Sequence, residues 1–167
     1  RGLGDVYKRQ ILSHIPSEKV PYNYGELPWY NEHNSAFQNI PNYVPTDLIA
    51  IKDLVVNKFF QGGRYGWTID RINPGNTVLE HVDMLKGLHE KYPEVQEFVR
   101  YALLLEDRKP GQFIEVNDEP IINWYKGDYI KLRGKDWENH LNQDWHMATN
   151  GGLHPLYVMV VSGPIGG

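Results

Sequence analysis

The chain has 167 residues, of which 41% are hydrophobic and 23% charged, and a formal net charge of -4. That length suits one domain with a core of its own. The absence of cysteine excludes disulfides, iron–sulfur clusters, thiolate zinc sites and cysteine nucleophiles, so a metal would have to be held by nitrogen and oxygen, with seven histidines available. The mild acidity gives no sign of nucleic-acid backbone binding, and no apolar run approaches the roughly 20 residues that span a bilayer.

Residues 1–10 read as foreign to the fold. The run Asp5-Val6-Tyr7-Lys8-Arg9-Gln10 resembles the in-frame translation of a transposon adaptor used in sequencing-library preparation. The expectation is a non-native leader over 1–10 and a single domain over 11–167. The plainer alternative is a natural basic tail. It is no signal peptide, because no apolar stretch follows the basic residues. Without Arg1, Asp5, Lys8 and Arg9, Lys+Arg falls from 17 to 14 and Asp+Glu from 21 to 20, giving a net charge of -6 over 157 residues.

Residues 11–45 are rich in Pro, Asn and Tyr and read as irregular, with Pro28-Trp29-Tyr30-Asn31-Glu32 an aromatic loop. Residues 46–60 suit a helix capped by Thr46 or Asp47 and ended by Gly62-Gly63. Residues 67–72 alternate and are β-branched, which predicts a strand; Asn73-Pro74-Gly75-Asn76 is a turn, and 77–82 a second strand. Residues 84–99 carry Leu85, Leu88, Val95 and Val99 as an apolar stripe and predict a helix interrupted by Pro93. The run 101–105 suits a buried strand. Residues 112–116 and 120–123 flank Asn117-Asp118-Glu119 as a hairpin. Further strands are predicted at 128–133, 145–149 and 156–161. Seven or eight short strands with turn signals argue for a mainly β barrel or sandwich with flanking helices.

The strongest local signal is Leu79-Glu80-His81-Val82-Asp83. On a strand, positions i and i+2 share a face, so His81 and Asp83 present an imidazole and a carboxylate side by side. One histidine and one carboxylate make two-thirds of the facial triad that holds non-haem Fe(II). The third ligand has to come from a distant strand. His146, in Asp144-Trp145-His146-Met147, is the leading candidate, with His140 and His154 as alternatives. His89-Glu90 is not a zinc-protease helix, since Pro93 stands where the second histidine is needed. His14 and His33 fall in irregular segments.

Several motifs then occur in order: Arg71-Ile72-Asn73-Pro74-Gly75, His81-Val82-Asp83, Arg100 to Asp107, Lys109-Pro110-Gly111-Gln112, Asn123-Trp124-Tyr125-Lys126-Gly127-Asp128 and His146 to Gly152. In this series the chain resembles the Fe(II)- and 2-oxoglutarate-dependent oxygenase superfamily over about 67–163, in particular its small phage and marine metagenomic forms. The resemblance implies a double-stranded β-helix, that is, a cupin-like jelly roll. It implies Fe(II) held by His81, Asp83 and His146, with 2-oxoglutarate as cosubstrate. Oxidative decarboxylation of that cosubstrate with O₂ would then drive hydroxylation of a small molecule or a peptide side chain. A carboxylate at Asp83 points to hydroxylation rather than halogenation. The expected setting is the cytoplasm of a bacterium or phage-infected cell.

One departure concerns the cosubstrate. Members of this superfamily usually carry Arg or Lys on the last core strand to pair with the far carboxylate of 2-oxoglutarate; here the position is Leu156. The basic partner is expected from Arg100 or Lys131, with Arg71 behind them, and Asn150 as a further contact. Otherwise the oxygenase uses no 2-oxoglutarate, or the chain is a non-catalytic jelly-roll binding module. Tyr101, Tyr129 and Trp145 are candidates for the barrel mouth, and residues 133–145 for a lid.

Overall fold

A computed structural model of the protein describes residues 46–61, 63–134 and 142–165. The expectations for 1–45, for His140 and for most of the 133–145 loop lie outside the described residues.

The described chain opens with helix α1 (Thr46–Phe60). Two strands follow, β1 (Gly66–Ile72) and β2 (Asn76–His81), and then a short helix α2 (Lys86–Lys91). The remaining strands are β3 (Phe98–Leu104), β4 (Gln112–Val116), β5 (Glu119–Ile121), β6 (Tyr129–Arg133), β7 (His146–Asn150) and β8 (Leu156–Pro164). They form two four-stranded antiparallel sheets in the orders β1-β8-β3-β6 and β2-β7-β4-β5. Apart from the β4–β5 hairpin, which stays within the second sheet, successive strands alternate between the sheets, which makes a double-stranded β-helix.

The pleat divides the first sheet into two faces. Ile72, Ala102, Leu104, Leu132, Leu156, Val158 and Val160 point between the sheets and meet Ile114 and Trp124. Ile69, Val99, Leu103, Tyr157, Met159 and Val161 point outward and are covered by Leu48, Val55, Val56 and Phe60 of α1. Strand β8 is therefore buried on both faces, which is why its sequence is a continuous apolar run rather than an alternating one. Gly163 lets α1 approach, since a Cβ there would fall onto the Phe60 ring.

Two sequence expectations change. The helix expected over 84–99 is confined to Lys86–Lys91. Leu85 enters it at φ 47, and Phe98 and Val99 belong to β3, where both are buried. The apparent stripe thus mixed one helical turn with the start of a strand. The hairpin after β4 turns on Asn117 and Asp118 alone, both at positive φ (51 and 64), with Val116 paired to Glu119. That is the two-residue primed turn for which Asn and Asp are suited.

Candidate metal centre

His81, Asp83 and His146 converge at one end of the barrel, where β2 runs out and β7 begins. A β-bulge aims the first of them. Between Val78 and His81 the β2 strand carries one residue more than β7, so that Val78 pairs with Ala148 but His81 with His146. Strict alternation from inward-facing Val78 would have pointed Glu80 inward. The bulge leaves Glu80 exposed and turns His81 into the barrel. Sequence alternation alone carried no sign of it.

The ring hydrogens are assigned by backbone acceptors. His81 Nδ1 lies 2.7 Å from the Leu79 carbonyl and His146 Nδ1 3.0 Å from the Asp144 carbonyl. A carbonyl only accepts, so each Nδ1 donates, and Nε2 is the ring atom left facing the centre. His81 Nε2 stands 3.7 Å from Asp83 Oδ1, and His146 Nε2 3.5 Å from Asp83 Oδ2. The side chains of His81, Asp83 and His146 keep only 10%, 7% and 13% of their exposure. Asp83 Oδ2 is enclosed and accepts no hydrogen bond. An orphaned buried oxygen 3.5 Å from an imidazole nitrogen costs free energy unless a cation or proton sits between them. The ligand atoms lie within 4.8 Å of one another. This donor set suits a divalent first-row metal.

The charges around the triad are built in. Burial opposes the charge on Asp83, but the Arg100 guanidinium and the two imidazoles outweigh it and hold the carboxyl well below the usual carboxylate range. Burial lowers the His146 pKa, against the pull of Asp83, and so favours the neutral ring that binds metal. Asp70, which faces inward from β1, was not singled out in the sequence. Burial pushes its carboxyl up to about 6 despite Arg100, and its Oδ1 is enclosed without a partner.

The expected cosubstrate residues are dispersed. Arg100 faces inward from β3, where Nη1 donates to Asp83 Oδ1 at 2.5 Å and Nε to Ser162 Oγ at 3.1 Å. Lys131 does not reach the barrel interior: it pairs with Tyr101 on the outward face of β6 and is exposed. Arg71 also points outward, over the Tyr157 ring. Asn150 lies at the far end of β7 from His146 and is fully buried. Its amide donates to the Ile72 and His154 carbonyls, which commits both hydrogens to closing that end. Leu156 is buried among aliphatic neighbours. His154 sits at the Asn150 end, away from His81 and Asp83. Tyr101 and Tyr129 pack around Phe59 of α1 on the outer face, whereas Trp145 is half-exposed beside His146. A cavity of about 570 Å³ lies on that outer face between α1 and the sheet, lined by Leu48, Ile51, Phe59 and Leu103, and shares no residue with the triad.

No protein-family model matches the chain, and no curated protein matches it. Solved structures do. A sugar phosphate isomerase from a cupin superfamily, SPO2919 of Silicibacter pomeroyi, aligns over 90% of this chain and 72% of its own at 13% identity, with a TM-score of 0.51. The fold is a cupin-type double-stranded β-helix. A predicted oxalate decarboxylase from Thermotoga maritima aligns over 68% of this chain and 74% of its own at 18% identity and a TM-score of 0.38. The plu4264 protein of Photorhabdus luminescens aligns over 60% of this chain at 13% identity and a TM-score of 0.38, and the match spans 62% of that protein's length. Among the described residues, no helix is long and apolar enough to cross a membrane.

Proposed function

We propose that the chain is a non-haem Fe(II)- and 2-oxoglutarate-dependent dioxygenase that hydroxylates a small molecule or a peptide side chain. The observation that carries this reading is the convergence of two Nε2 atoms and an unpartnered carboxylate oxygen, each imidazole fixed through its Nδ1. His81, Asp83 and His146 would hold the iron. Such a set leaves positions open for a bidentate 2-oxo acid and O₂, and bound Fe(II) supplies the one-electron chemistry that side chains lack. The chain's own part is to keep both rings in the ligating tautomer, to keep Asp83 ionised and to shield the centre from bulk water. Purified protein should convert 2-oxoglutarate to succinate and CO₂ in a reaction that needs Fe(II) and O₂, and His146→Ala should abolish it. Iron-loaded protein that never turns over 2-oxoglutarate would count against the reading.

Leu156 supports a second reading, an Fe(II) oxygenase served by another 2-oxo acid or by a chelating substrate. A far carboxylate among Leu156, Ile72 and Val158 would cost several kcal/mol without a cation, on the order of a buried unpaired charge. On this reading Leu156→Arg should create or tighten 2-oxoglutarate binding at least tenfold. Unchanged affinity would mean that a cation is already supplied elsewhere.

A further inference from the structure

We propose that Arg100 is a positioning residue that restricts Asp83 to a single metal-binding oxygen, rather than an anchor for the far end of a cosubstrate. This rests on the metal-centre reading above. The two carboxylate oxygens of Asp83 have different partners. Oδ1 receives Arg100 Nη1 at 2.5 Å and lies 3.7 Å from His81 Nε2, whereas Oδ2 receives no hydrogen bond and faces His146 Nε2 at 3.5 Å. The guanidinium is itself oriented, because its Nε donates to Ser162 Oγ on the neighbouring strand β8 at 3.1 Å. Arg100 and Ser162 are register partners on adjacent strands, so sheet pairing fixes the base of this arm.

A carboxylate whose two oxygens are equally available can close on a metal through both. Oδ1 is engaged in a charge-assisted hydrogen bond, which a metal would have to break before taking that oxygen. Arg100 therefore keeps a coordination position open that a second Asp83 oxygen would fill. A bidentate 2-oxo acid needs that position whatever its tail carries. The planar fork matters as well as the charge, since one nitrogen reaches Ser162 while another reaches Asp83, which a lysine ammonium cannot reproduce.

The test loads the full chain with Co(II), whose visible spectrum reports coordination number, and titrates pyruvate and 2-oxoglutarate. In Arg100→Met the Co(II) spectrum should shift toward higher coordination. Binding of both 2-oxo acids should then weaken by the same factor, at least tenfold, although pyruvate has no second carboxylate. Ser162→Ala keeps every charge and should give a smaller change in the same direction, which guards against a misfolded Arg100 variant. An unchanged spectrum, or weakened binding of 2-oxoglutarate alone, would overturn the proposal while leaving the metal centre intact. Failure of the wild-type chain to bind Co(II) would overturn both.

Discussion

At the residue scale, His81 and Asp83 were legible as two ligand types two positions apart, and both turn inward although β2 ends at His81 and Asp83 lies just beyond it. That inward turn was not legible, because the bulge between Val78 and His81 depends on pairing with β7. Arg100 stood out as a basic residue beside an apolar run, but its role depends on Asp83 and Ser162, 17 and 62 positions away. Asp70 gave no local signal, since one carboxylate in an alternating strand looks like a solvated position. It nevertheless sets a pH dependence. Its folded pKa of about 6 lies above the ordinary aspartate value of 3.8, so the folded state holds the proton more tightly. The resulting stability is fully present below pH 4 and is lost as pH rises through about 6, on the order of 1–3 kcal/mol. Asp70→Asn should remove this loss, raising the melting temperature at pH 8 but not at pH 4. Equal shifts at both pH values would contradict it.

At the element scale, α1 and the doubly buried β8 were readable from apolar content alone, whereas the segment 84–99 was not. Its hydrophobic spacing fitted a helix, but pairing of Phe98 and Val99 with β8 claims them for β3. The connection from β6 to β7 shows a second dependence on distant partners. Asp144 accepts Arg133 N, Nε and Nη2 and also Asn117 Nδ2, and its own carbonyl holds His146 Nδ1. Burial opposes its charge, but these donors bring its carboxyl down to about 2. That contribution is present above pH 4 and is lost as pH falls through about 2. Asp144→Asn should weaken metal binding about tenfold by loosening the support of His146, as expected for an outer partner of a ligand. Metal titration by calorimetry would show it. In the core, Met159 is fully buried between β8 and α1, and Met159→Ala should cost about 2–5 kcal/mol in a denaturant titration.

At the scale of the whole molecule, many short strands punctuated by turns announced a β barrel or sandwich, and the sheets β1-β8-β3-β6 and β2-β7-β4-β5 are such an arrangement. The strand order itself could not be read locally, because every neighbour pair except β4–β5 joins strands distant in sequence. This topology brings residues 81, 83, 100 and 146 to one end of the barrel while Asn150 and Leu156 close the other. On the function proposed above, this end would hold one divalent iron. Anaerobic titration of Fe(II) into the wild-type chain should give one ion bound per chain, with binding lost in His81→Ala, Asp83→Ala and His146→Ala but kept in His154→Ala. No Fe(II) bound by the wild type, or binding that survives the three triad substitutions, would contradict it.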